Sequence, residues 1–215
     1  MKKRYELLAL LMTAALLASG CAKEEAGPHS GHVEHEAKEP GKKTAEIYES
    51  GRVVIFDENA PLIDLVNQEG KKVTNDDLKG KVVLVNFIYT HCEESCPIMM
   101  HKFMDIEKEL KEHLGKDIQL VSITMDPERD TPEVLKKYAE KMKIDTSYWT
   151  FLTGEKATVD KILKGFNFFY VKNEDGSFGH SNAIVGLTRE GRWKYNFNVL
   201  TVPVDILVER IRKEV

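Results

Sequence analysis

One strand-length run, Val82 to Tyr89, is apolar at both parities and broken only by Asn86. A strand whose two faces are both apolar belongs inside a sheet covered on both sides. The run therefore predicts a central strand. Beyond it, Met99, Phe103, Ile106 and Leu110 recur at helical spacing and mark a helix with that stripe on the core. Pro97 suits the first position of this helix, where a backbone N–H would have no partner. Ile118 to Thr124 is the next strand, and residues 126–133 form a loop that ends in a helix start. Two capping schemes fit that start: Thr131 with Pro132 at the first position, or Asp130 with Glu133 closing a box. The helix runs to about Lys143.

The remaining pattern is shorter. Val53 to Phe56 reads as a strand at the N-terminal side. Residues 62–73 read as two strands around a Glu69-Gly70 turn, a possible hairpin. Trp149 to Leu152 is strand-like, 155–165 helical, and the aromatic run Phe166 to Val171 strand-like again. Ala183 to Thr188 and Trp193 to Phe197 form a hairpin across Arg189-Glu190-Gly191, and a helix from about Val202 ends the chain. This order predicts an α/β fold.

The first twenty residues follow a different logic. Lys2, Lys3 and Arg4 precede an apolar run from Leu7 to Ala18, which is short for a membrane span and ends in Ala18-Ser19-Gly20-Cys21. Small residues directly before a cysteine resemble the lipobox of bacterial lipoproteins, although Leu17 lies one position too early. The resemblance implies cleavage before Cys21, a diacylglyceryl anchor on its sulfur and an extracytoplasmic protein held at the cell membrane. Two acyl chains suffice for stable anchoring. An ordinary cleaved signal peptide or a short N-terminal anchor is the alternative. Residues 21–46 then read as a tether, rich in Glu, Lys, Gly and His with Pro28 and Pro40 and almost no large apolar side chain. Its His29, His32 and His35 are spaced to gather a metal weakly, or are simply solvated. Residues 47–215 are left as the folded domain.

Composition adds exclusions. The chain has 215 residues, 42% hydrophobic and 31% charged, with a net charge of only -4. Nothing in that balance argues for nucleic acid, and there is no Gly-rich phosphate loop. Of three cysteines, lipidation of Cys21 would leave Cys92 and Cys96, with three residues between them, at the junction of the central strand and the helix. The dipole of the helix start favours thiolates there. Such a pair can shuttle electrons as a dithiol and disulfide, or hold a soft metal ion.

The histidines separate these uses. His101 lies roughly 200° around the helix from Met99 at about 100° per residue, away from the core. His113 sits at the helix end as a solvated cap. His91 adjoins Cys92, and neighbouring strand residues point to opposite faces, so it is an awkward co-ligand. The strand–Cys–Cys–helix order is that of the thioredoxin-like fold, in which the loop before the hairpin packs against the active-site cysteines. This chain places His180 in that loop, where thioredoxins carry a cis-proline.

Three segments together resemble the Sco/SenC family of copper-binding, thioredoxin-like proteins: the apolar strand into Thr90-His91-Cys92-Glu93-Glu94-Ser95-Cys96-Pro97, the Asp126-Pro127-Glu128-Arg129-Asp130-Thr131-Pro132 loop, and His180-Ser181. The resemblance spans about residues 55–215. It implies a central mixed sheet flanked by helices with an N-terminal strand extension, and copper ligands at Cys92, Cys96 and His180. It makes Asp126 a candidate support for the ligands or a partner contact; a plain turn residue before Pro127 is the other reading. Gly179 departs from the family, which usually has an acidic residue there. Two thiolates and an imidazole suit Cu(I), and Cu(II) with an added oxygen donor, although Zn(II) accepts such a set too.

The implied function is a membrane-anchored metallochaperone that delivers copper to the CuA site of cytochrome c oxidase. A thiol–disulfide oxidoreductase acting on the oxidase cysteines needs the same pair without the histidine. A copper or redox sensor is a further alternative. A peroxiredoxin-like enzyme fits less well, because Tyr89 stands where that chemistry wants Thr.

Overall fold

The structure is a computed structural model that describes residues 46–47, 53–91 and 96–215, with the backbone alone for residues 46–47 and 96–98. The signal segment, Cys21, the tether histidines His29, His32 and His35, and Cys92 lie outside the described residues.

Among the described residues nine strands make one mixed sheet: β1 (Glu46–Ile47), β2 (Val53–Asn59), β3 (Asp64–Asn67), β4 (Lys72–Thr74), β5 (Val82–Ile88), β6 (Ile118–Thr124), β7 (Trp149–Thr153), β10 (Ala183–Leu187) and β11 (Arg192–Asn198). Their order across the sheet is β1-β2-β11-β10-β5-β6-β7-β3-β4. The doubly apolar run is the central strand β5, every residue of which is buried. It pairs parallel with β6 and antiparallel with β10. β3 and β4 form the predicted hairpin. The N-terminal extension is β2, which pairs antiparallel with β11 and carries β1 on its outer side.

Among the described residues four α-helices cover the sheet: α1 (Cys96–Glu109), α2 (Pro132–Met142), α3 (Lys156–Gly165) and α4 (Val204–Arg212). The predicted α1 stripe of Met99, Phe103, Ile106 and Leu110 is buried, and His101 is exposed. Each fully buried apolar side chain of that kind contributes roughly 1.5–3 kcal/mol. The stripe joins α2 and α4 residues in one apolar layer. α3 packs on the other face through Val159, Ile162 and Leu163. The two capping schemes for α2 are resolved by Thr131, whose hydroxyl accepts from the Val134 N–H with Pro132 following. His113 is half-buried between Glu112 and Asp117 rather than a freely solvated cap.

A polar chain crosses the first layer. Trp149 Nε1 donates to Ser122 Oγ at 2.8 Å, and Ser122 Oγ donates to Asn86 Oδ1 at 2.6 Å. All three side chains are buried. Removing the hydroxyl strands a donor and an acceptor together. Ser122→Ala is therefore expected to cost about 2–3 kcal/mol in urea unfolding, since each unsatisfied buried group costs about 1–3 kcal/mol. An unchanged midpoint would contradict this.

The run Phe166 to Val171 departs from expectation. Phe166 caps α3, Asn167 takes φ 54°, and the strand begins only at Tyr170. The aromatic character of the run comes from Phe166 and Phe168 filling the second apolar layer, not from a pleated face. The strand is β8 (Tyr170–Lys172), which pairs with β9 (Phe178–His180) as a separate hairpin. His180 thus ends a strand rather than lying in a loop.

Candidate metal centre

The site is built at the carboxyl ends of the parallel strands, where α/β sheets place their ligands. β5 delivers Tyr89, Thr90 and His91, and α1 opens on Cys96 immediately beyond the cysteine segment. β6 delivers the loop at Asp126. β10 runs antiparallel to β5, so the chain entering it, His180 to Asn182, arrives at the same end of the sheet.

His180 is held from several sides. Its ring lies 6.0 Å from the Phe168 ring, nearly parallel, and 6.3 Å from the Tyr89 ring, edge on. Nδ1 is 2.8 Å from the Ser181 carbonyl oxygen. A carbonyl only accepts, so Nδ1 carries the proton and the lone pair of the neutral ring is on Nε2. That arrangement fixes a metal-ligating histidine in tautomer and direction. The structure therefore brings His180 beside Tyr89, three residues before Cys92.

The β8–β9 hairpin that carries His180 has its own anchors. Phe178 packs edge on against Tyr89 at 4.9 Å. Tyr170, directly across from His180, donates its hydroxyl to Asp160 on α3, and Lys156 Nζ reaches the same hydroxyl at 2.9 Å. Burial and the Asp160 carboxylate push the Tyr170 phenol above its ordinary range. That phenol stays neutral and keeps its proton to donate.

Asp126 is buried. Its carboxylate pairs with the Arg129 guanidinium, and Lys172 of β8 approaches to 3.7 Å. Its side chain faces the hairpin rather than the surface. His91 is 54% exposed, with Nδ1 3.1 Å from the Thr90 hydroxyl. Sequence reasoning missed Asp130, which it treated only as a possible helix cap. Asp130 is fully buried, and its carboxylate accepts from the Thr90 N–H at 3.1 Å, the Thr90 hydroxyl at 2.5 Å and the Thr124 hydroxyl at 2.6 Å. No local signal could have found it, because its partner Thr90 lies forty residues away in the sequence.

Among the described residues, no three His, Cys, Asp or Glu side chains gather to hold a metal. The candidate set needs two sulfurs, and both lie outside the described side chains. His180, the candidate ligand whose side chain is described, has the tautomer and the supporting bond that a metal-ligating histidine would use.

Comparison with known proteins agrees with this architecture. The family model described as SCO1/SenC matches residues 60–215, and the chain belongs to that family. A SCO1/SenC family lipoprotein from Bacillus anthracis str. Ames superposes with a TM-score of 0.68 at 29% identity, covering 74% of this chain and 96% of its own. Bradyrhizobium japonicum ScoI, solved with copper bound, gives 0.62 at 26% identity over 74% and 99%. BsSco, described as a member of the Sco family of cytochrome c oxidase assembly proteins with a disulfide switch, gives 0.64 at 31% over 74% and 94%. The thioredoxin-like fold class is shared with these structures.

Proposed function

We propose that this protein is an extracytoplasmic, lipid-anchored metallochaperone that holds copper through Cys92, Cys96 and His180 and passes it to the CuA-site subunit of cytochrome c oxidase. The observation that carries the reading is His180, packed on Tyr89 and Phe168 with Nδ1 committed to the Ser181 carbonyl. A dithiol enzyme has no use for an imidazole set in that way. Copper when bound supplies a soft ion that two thiolates and one imidazole satisfy. The chain's own part is to present Nε2 in a fixed direction and to bring the cysteine segment to the same end of the sheet. The copper-bound Bradyrhizobium relative and the oxidase-assembly description of BsSco support the cargo and the partner. The lipobox-like Ala18-Ser19-Gly20-Cys21 supports anchoring through Cys21, as does the lipoprotein description of the Bacillus anthracis relative. Among the described residues no helix is long and apolar enough to cross a membrane.

The disulfide switch of BsSco favours a second reading, in which Cys92 and Cys96 reduce the oxidase cysteines before loading. The two readings separate in a copper titration of the reduced protein. Cys92→Ser and Cys96→Ser are each expected to abolish the thiolate-to-copper charge-transfer band of the Cu(II) form. A band retained in either variant would remove that sulfur from the site.

A further inference from the structure

The five-residue loop from Asp126 to Asp130 reaches both halves of the site. At one end Asp130 takes the Thr90 N–H and hydroxyl, two residues before Cys92. The residue beside it, Arg129, bonds Asp126 at the start of the loop, donates to the Gly176 carbonyl in the β8–β9 turn at 2.8 Å, and lies 6.0 Å from the centre of the Phe178 ring. Lys172 of β8 leans on the same ring at 5.6 Å. The turn from Asp126 to Asp130 that carries both residues is itself fixed. The Asp126 carbonyl accepts from the N–H groups of Arg129 and Asp130, and the Asp126 N–H donates to Thr124 Oγ1 at 2.9 Å.

Burying a carboxylate is a poor way to gain stability, because desolvation offsets most of what its bonds return. It is a good way to define position, since ionised acceptors hold short, directional bonds. Asp130 uses those bonds on Thr90, two residues before Cys92. Arg129 uses a rigid fork on the hairpin that carries His180.

We infer that this loop is a strut that sets the distance between the cysteine segment and His180, with Asp130 positioning the cysteine side and Arg129 the histidine side. The inference rests on the copper-site reading for its purpose but not for its mechanics. A metal-exchanging site needs ligands that reach one ion together, and linking both arms to one short loop adds to the packing of Phe178 and His180 on Tyr89.

The test uses the full chain, with Asp130→Ala, Asp130→Asn and Arg129→Ala, and Ser122→Ala as a control destabilised elsewhere. Amide hydrogen exchange is read without metal. Asp130→Ala is expected to speed exchange at Thr90 and His91 at least tenfold while leaving β9 near wild type. Arg129→Ala is expected to do the reverse, and only about tenfold because the Tyr170–Asp160 anchor remains. Asp130→Asn, which still offers an acceptor to the Thr90 N–H, is expected to recover most of the protection. With copper, both alanine variants are expected to lose about 10–100-fold in affinity, the range for residues supporting ligands. Arg129→Ala should also weaken the nitrogen hyperfine signal of the Cu(II) form. If both variants loosen the whole molecule evenly, as Ser122→Ala would, the strut is wrong. If the local exchange effects appear but wild type binds no copper, the strut stands and the copper reading falls. Should Asp130→Ala fail to fold, Asp130→Asn and Arg129→Ala still decide the matter.

Discussion

His180→Ala is expected to lower copper affinity by more than about 100-fold while leaving the fold close to wild-type stability. The size follows from the coordination: altering a group that merely supports a ligand costs 10–100-fold, so removing the ligand costs more. The small effect on stability follows from position. His180 is half-buried at the end of a short hairpin, and its ring meets Phe168 and Tyr89 at centroid distances of 6.0 and 6.3 Å, in the longer half of the aromatic-contact range. The hairpin keeps its Tyr170, Phe178 and Arg129 anchors. Copper titration and urea unfolding of the same preparations check both halves. Added imidazole is expected to restore part of the Cu(II) spectrum, because the empty ligand position can take a free ring. Unchanged affinity would leave the cysteines as a dithiol pair and would favour the oxidoreductase reading.

What was legible in the sequence follows the physics of each signal. β5 and α1 announce themselves because burial on two faces and burial on one stripe leave different periodicities. The Thr131 start of α2 was legible as one of two local schemes, and capping is local. The β8–β9 hairpin was not legible. Its turn, Asn173 to Gly176, uses φ 81° at Gly176, but the strands are three residues each, and Gly179 reads as a breaker. The buried Phe166 and Phe168 imitate a strand while packing from a helix cap. Asp130 was not legible for a further reason. Its partner Thr90 is forty residues away, and no spacing rule connects an acid in one loop to the end of another strand. His180 itself stood out only through the thioredoxin-like order of strand, cysteines and helix and then the family resemblance, since a lone histidine near a hairpin carries no periodic signal. Asp126 was read as either a support or a turn residue. Its carbonyl accepts the turn bonds from Arg129 and Asp130, as a turn residue's does, and its buried carboxylate pairs with Arg129 and approaches Lys172, a long-range contact that no local pattern announces.

Phe103→Ala is expected to show the opposite pattern to His180→Ala: about 3–5 kcal/mol of lost stability, with copper affinity within about threefold of wild type where the variant is folded. Phe103 is fully buried in the middle of α1 and packs edge on against Trp149 at 4.9 Å. Truncating a buried Phe forfeits its transfer energy and leaves a cavity that a sheet and three helices cannot close, which sets the range. The lost aromatic pair with Trp149 adds about 0.5–1.5 kcal/mol and argues for its upper end. The urea slope should stay at its wild-type value, because the surface exposed on unfolding barely changes. Affinity is expected to be spared because Phe103 lies about two turns along α1 from Cys96, and the 126–130 loop and the β8–β9 hairpin keep their own anchors. A gentler exchange, Phe103→Leu, should fall well short of the alanine cost, as its smaller volume loss leaves a smaller cavity. A loss below about 1 kcal/mol for Phe103→Ala would mean that α1 is not seated on the sheet through this side chain. A tenfold fall in affinity in the folded variant would mean that the seat of α1, and not only the loop and hairpin, sets the position of the cysteine segment.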